Sequence, residues 1–302
     1  MSVFSTKGLL LLVGITFCWG INWPIMKIGM LEIPVFPFRA IVLLAGGITL
    51  FALCKLLRYP LLPSRAEWPA IIAIASALSI FQVFSGYGVL LTESGRAAVM
   101  AYTMPVWAIV LGWIFLGEKQ GWSRIIALAL GMGGMSLLLI ADISSIGSTP
   151  LGMIFMLITA VSWAVATIIQ KRTTWSLPTL SVVAWQIFLG SLPMAVGSIF
   201  IEYSEISFPS IPAIICLLYN AFIAAAFCFW AYMEVVRLYP VGVATIGVML
   251  TPIVGILSGA AVLNEPLGMA EYGSVVLVSL AIGLPAFVNP KAWRKTEKNN
   301  TH

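Results

Sequence analysis

Runs of about twenty consecutive apolar residues, broken by Pro, Gly and charge, recur along the chain near 8–27, 36–57, 68–91, 95–117, 122–141, 150–170, 178–201, 211–236, 241–263 and 271–289. A helix rising ~1.5 Å per residue crosses a hydrocarbon core of ~30 Å in about that length. The runs show no alternation of apolar and polar positions, and several contain internal Gly and Pro. A membrane β-barrel, whose strands would read as about ten alternating residues, is therefore disfavoured. The pattern predicts an all-α polytopic membrane protein of ten transmembrane helices.

Composition agrees and closes off the soluble alternatives. Of 302 residues, 61% are hydrophobic and 9% charged, against about 25% charged in a soluble domain. So few charges cannot cover a globule in water, so the lipid bilayer is an obligatory partner. The ten runs leave only short connections, hence no sizeable extramembrane domain. Lys7 followed by Gly8–Cys18 resembles the start of a signal peptide. No small-residue cleavage pattern follows before Trp19, Trp23 and Lys27, so the run reads as a retained first span. Cys18, Cys54, Cys216 and Cys228 lie in or beside apolar runs without a CxxC or a nearby histidine, and read as reduced packing residues with no metal site.

The net charge of +5 would point to nucleic acid in a soluble protein. Here the cations lie between apolar runs, so they report topology and no nucleic-acid partner is expected. With a cytoplasmic N-terminus, the inside segments hold Lys7, Lys55, Arg58, Arg65, Lys119, Arg124, Lys171, Arg172, Arg237, Lys291, Arg294, Lys295 and Lys298. Of the sixteen Lys and Arg, only Lys27, Arg39 and Arg96 fall outside. This bias predicts both termini in the cytoplasm and a basic tail, 291–302, near anionic headgroups.

The chain also repeats itself. A shift of 147 residues superposes Gly95 on Gly242, Ala97 on Ala244, Pro105 on Pro252, Gly112 on Gly259, Leu116 on Leu263 and Glu118 on Glu265. A shift of 144 pairs Trp19 with Trp163 and Lys27 with Lys171. Two five-helix halves follow, 1–144 and 145–290. Because five is odd, the second half crosses the membrane in the opposite sense. Inverted repeats are the architecture of alternating access around a site near the midplane.

Enzymatic chemistry lacks its side chains. The one histidine is His302, the one aspartate is Asp142, and no GxxxxGK[ST] phosphate loop occurs. Histidine-based dyads, HExxH zinc sites and paired aspartates thereby lack their residues, and ATP-driven pumping by this chain alone is not expected. No cofactor or metal is expected, and the chain is not read as an enzyme.

Aromatic and neutral polar side chains remain at depth. Trp19, Asn22, Trp23 and Met26 share one face of span 1 at i, i+3, i+4 and i+7, and Trp163, Thr167 and Gln170 share one face of span 6. Gln82 and Tyr102 on spans 3 and 4, Gln186 on span 7, and Tyr219, Phe227 and Trp230 on span 8 would complete an aromatic and amide-lined cavity. The competing reading is packing, since Trp and Tyr collect at membrane interfaces and polar residues bind helices together. Tyr219, Phe227 and Trp230 are better suited to packing. Pro105 and Pro252, mid-span, predict kinks in spans 4 and 9 that act as hinges or as static bends. Arg39, near the outer start of span 2, either attracts a substrate carboxylate or snorkels to headgroups, with snorkelling favoured. Glu118 and Glu265 are expected to set the fold by bonding loop amides or a neighbouring cation.

Ten spans in two halves, a Trp-containing first span in each (Phe17–Trp23 and Val161–Thr167), and the matched stretches Pro105–Glu118 and Pro252–Glu265 resemble the EamA family of the drug/metabolite transporter superfamily over nearly the whole chain. The resemblance implies a multi-pass inner-membrane exporter with a central aromatic cavity. Its implied substrates are amino acids, aromatic and other largely apolar ones, or else amphipathic drugs and other metabolites. A non-transporting receptor or assembly subunit is the alternative of a different class. With every carboxylate near a span end, movement down the substrate gradient is the simplest mechanism. Oligomeric state is left open.

Overall fold

In a computed structural model, the structure describes residues 6–116, 122, 126, 129–134, 136–137, 140, 151–205, 207–238, 248 and 251–288. Their regular structure is helical, as lipid demands of a backbone that must satisfy its own hydrogen bonds. The helices are α1 Thr6–Glu32, α2 Val35–Leu56, α3 Trp68–Leu91, α4 Ser94–Ala101, α5 Met104–Leu116, α6 Leu151–Arg172 and α7 Thr179–Phe200. After them come α8 Ile211–Tyr219, a π-helix Asn220–Cys228, α9 Phe229–Leu238, α10 Thr251–Leu263 and α11 Met269–Val288. Among the described residues, six stretches are long and apolar enough to cross a bilayer, the continuous run Ile211–Val235 included. α10 and α11 are shorter apolar helices. Where the expected runs are described they coincide with helix apart from a break at Tyr102 and Thr103; 122–141 is described only at scattered positions, and of 241–250 only Val248, in a turn. Expectations for Glu118, Lys119 and Arg124 lie outside the described residues.

Punctuation repeats between the halves. Pro34 precedes α2 and Pro178 precedes α7, each as an extended N-cap with φ −53° and −57°. Pro69 and Pro212 sit in the first turns of α3 and α8, where a missing N–H leaves no helix bond unmade. The corner at each half is closed by the same pair of groups with donor and acceptor exchanged. Ser210 donates its N (2.8 Å) and Oγ (2.7 Å) to Glu32, while Ser176 donates its N (2.6 Å) and Oγ (2.9 Å) to Glu67.

Helix packing obeys the repeat as well. α2 lies against α7, its own counterpart; α3 against α6, as α1 lies against α8 and the π-helix; α6 against α4 and α5, as α1 lies against α10. This scheme of two inverted five-helix repeats leaves a central cavity where α1, α2, α3 and α6 converge with the π-helix.

Candidate functional site

One face of α1 supplies Trp19, Asn22, Trp23 and Met26, all lining the cavity as their spacing predicts. From α3 come Phe81, Gln82 and Ser85, and from α2 come Arg39, Val42 and Leu43. Trp163 of α6 faces Trp19 across the midline at 5.6 Å between ring centroids and 86° between planes, an edge-to-face pair. Trp163 also meets Phe81 (5.0 Å), Phe229 (5.3 Å) and Tyr232 (5.6 Å), so it both packs and lines. The space of about 90 Å³ has room for several waters.

Tyr102 reaches the cavity by a route the apolar run concealed. Span 4 is not one kinked helix. It stops at Ala101, turns through Tyr102 and Thr103, and resumes at Met104. Thr103 donates its Oγ1 back to Met100 O at 2.7 Å, and Tyr102 N donates to Ala98 O. Pro105, the second residue of α5, has no N–H to continue α4 and restricts the residue before it. Pro252 is likewise the second residue of α10. Pro105 thus opens a new helical segment rather than bending a continuous one.

Four expected residues lie elsewhere. Thr167 donates its Oγ1 to the Trp163 carbonyl at 2.9 Å on its own helix. Gln186 is wholly buried and donates from Nε2 to Gln170 Oε1 at 2.7 Å. Phe227 is 37% exposed and turned outward, and Trp230 packs beside it at 6.4 Å. The last two reflect the π-helix. Bonded i→i+5 instead of i→i+4, Asn220–Cys228 shifts the facing register of all that follows. Phe229 therefore lines the cavity with Asn220, Ala224 and Ala225. Trp19 Nε1 donates to the Ala224 carbonyl at 3.1 Å, and Tyr219 OH donates to Cys18 O at 2.9 Å, pinning this segment to α1.

Arg39 is the other departure. It is 4% exposed in the cavity wall and does not reach toward headgroups. An isolated charge within an apolar run was the signal that pointed to it; Phe229 had none.

Beyond Met26 the cavity ends at a charged cluster. Lys27 Nζ donates to Thr92 O (2.8 Å) and Glu265 Oε1 (3.1 Å). Glu265 also accepts from Ser94 N, Ser94 Oγ and Gly95 N, capping α4 from the other half. Burial pushes the Glu265 carboxyl up, but these bonds outweigh it and hold it below the ordinary carboxylate range. A Cβ on Gly259 would lie 2.5 Å from Glu265 Oε2, so the glycine leaves that carboxylate its room. Arg96 bonds Glu271 and Glu93, both at 2.7 Å. At the opposite end, a second space of about 370 Å³ is lined by Gln170, Lys171, Trp175 and Arg237. Seven residues of α6, about 10 Å of helix, separate Trp163 in the cavity from Gln170 in this vestibule.

Comparison with known proteins places this arrangement. The EamA-like transporter family matches residues 6–140 and 150–286. The chain is 24% identical over 285 residues to "Uncharacterized transporter YoaV" of Bacillus subtilis, covering 94% of this chain and 96% of that protein. It is 24% identical over 324 residues to "Probable amino-acid metabolite efflux pump" of Escherichia coli K12, covering 97% and 99%. A solved crystal structure superposes with a TM-score of 0.69 at 17% identity, over 96% of this chain and 99% of that one, a likeness of fold.

Proposed function

Because the chain belongs to the EamA-like transporter family, a family of multi-pass membrane transporters rather than enzymes, we propose that it exports amino acids with aromatic or other largely apolar side chains. Export runs by alternating access, out of the cytoplasm across the inner membrane, with both termini cytoplasmic. The observation that carries this reading is the cavity itself. Trp19 and Trp163, from opposed repeats, meet across it beside Asn22 and Gln82, joining apolar rings to amides as a ligand with an apolar side chain and a polar backbone requires. The amino-acid efflux name carried by one relative supports the same class.

In this mechanism the halves 1–144 and 145–290 rock about the cavity. The Lys27–Glu265 and Arg96–Glu271 pairs hold the outer end shut in this state, while the vestibule by Gln170 gives on to the cytoplasm. No Asp or Glu among the described residues lines the cavity, so substrate moves down its own gradient.

The test is counterflow in proteoliposomes with labelled phenylalanine, threonine and a lipophilic cation. Phenylalanine should exchange fastest. Trp19→Ala and Trp163→Ala should each lower exchange at least tenfold per folded, inserted molecule; equal losses of folding and exchange would make both residues packing alone. An imposed pH gradient with substrate equal on both sides should drive no accumulation. Uphill uptake abolished by a protonophore would show proton coupling instead.

A further inference from the structure

Arg39 lies on the second turn of α2 and is 4% exposed. Its Nη2 donates to Ser85 Oγ at 2.9 Å and meets Met26 Sδ at 2.8 Å, while its Nε has no hydrogen-bond partner. A hydroxyl and a thioether fix the position of the guanidinium and neutralise none of its charge. Among the described residues, no carboxylate lines the same cavity. An unpaired charge desolvated inside a span is costly, and where one persists it marks a ligand or ion path. The cavity holds the opposite want too. Asn22 Oδ1 and Gln82 Oε1 are buried acceptors without a donor.

One unpaired cationic donor and two unpaired acceptors, set beside aromatic faces, complement a zwitterion. We propose that Arg39 binds the carboxylate of the transported molecule, that Asn22 and Gln82 take its ammonium, and that Trp19, Trp163 and Phe229 take its side chain. This rests on the amino-acid reading above and sharpens it. The site selects α-amino monocarboxylates and repels organic cations, which meet an unopposed guanidinium. Planar guanidinium matches a carboxylate with parallel N–H bonds that a lysine ammonium lacks.

The test uses the purified full chain and three ligands with the same ring: L-phenylalanine, 3-phenylpropionate, which lacks the ammonium, and phenethylamine, which lacks the carboxylate. Tryptophan fluorescence reads binding, and the melting temperature reads folding. Wild type should bind phenylalanine about tenfold or more tighter than phenethylamine, with 3-phenylpropionate between. Arg39→Gln should bring phenylalanine to the phenethylamine level and leave phenethylamine unchanged or tighter, and Arg39→Lys should keep part of the preference. Equal wild-type binding of phenylalanine and phenethylamine overturns the proposal, as does a folded Arg39→Gln that keeps the wild-type ratio. If Arg39→Gln fails to fold, the wild-type ratio and Arg39→Lys decide by the same criteria. Binding of 3-phenylpropionate without phenylalanine overturns the amino-acid reading and leaves the carboxylate site standing. Binding of neither overturns both.

Discussion

Glu67 shows how a single carboxylate serves the fold from a loop. Burial pushes its carboxyl up, but hydrogen bonds from Ser64 and Ser176 outweigh that and bring it to about 2, from an ordinary 4.5. A depressed carboxyl contributes stability that is complete above its unfolded pKa and is lost as pH falls through its folded one. Glu67→Gln should therefore be less stable than wild type at neutral pH by about 1–3 kcal/mol. That gap should close as pH is lowered from 4.5 toward 2, measured by thermal melting of the detergent-solubilised protein. A gap constant with pH would mean that Glu67 acts by packing alone. The residue scale also separates lining from bonding. Thr167 and Gln186 carry polar atoms a cavity needs, yet the Thr167 hydroxyl and the Gln186 Nε2 donate to neighbours, the Trp163 carbonyl and Gln170.

Among the elements, the π-helix decides which aromatic side chain of span 8 meets the cavity. Deleting Phe222, which is 45% exposed, should let Asn220–Cys228 close to ordinary α-helix and rotate the downstream face by one residue. Ring contact between Phe229 and Trp163 (5.3 Å) would then be lost. The expected outcome is a folded, inserted protein with phenylalanine exchange reduced at least tenfold, read by counterflow and size-exclusion chromatography. Unchanged exchange would show that this register is irrelevant to transport. The broken span 4 supports a second expectation. At the second position of α5 and of α10, Pro105 and Pro252 occupy sites whose amide has no helix partner, so Pro→Ala costs little stability. If these positions serve as hinges, each substitution lowers the exchange rate at constant folded protein. Rates that stay unchanged would reduce the prolines to shape. Just past α10, Asn264 holds φ 54°, the left-handed cap conformation that Gly and Asn tolerate. Gly117 stands at the matching place in the first half.

For the whole molecule, the exchanged helix contacts and exchanged corner pairs, Glu32 with Ser210 and Glu67 with Ser176, are what two oppositely inserted halves generate. The orientation proposed from the charge bias places Ser204 outside and Thr173 inside. A cysteine introduced at Ser204 should react with an impermeant thiol reagent added outside intact cells, and one at Thr173 should react only after permeabilisation. The reverse pattern would invert the topology and with it the direction of export.

The sequence alone determined the solvent, the helical class and the repeat, because lipid permits few backbone solutions and hydropathy reports the spans directly. Trp19, Asn22, Trp23, Gln82, Tyr102 and Trp163, candidates read from the sequence, line the cavity; four of them follow a regular helical face or a repeat-related position. Thr167 and Gln186 lie off the cavity for a different reason, and Phe227 and Trp230 pack away from it, the reading favoured for them in the sequence. Facing by spacing presumes an unbroken α-helix and says nothing about which polar atoms a neighbouring helix will claim. Only the tertiary structure supplied the π-register that exchanges Phe227 and Trp230 for Phe229, and the hydrogen bonds that occupy Thr167 and Gln186. It also decided Arg39, whose charge is legible in one dimension but whose burial among α1 and α3 side chains depends on three helices meeting.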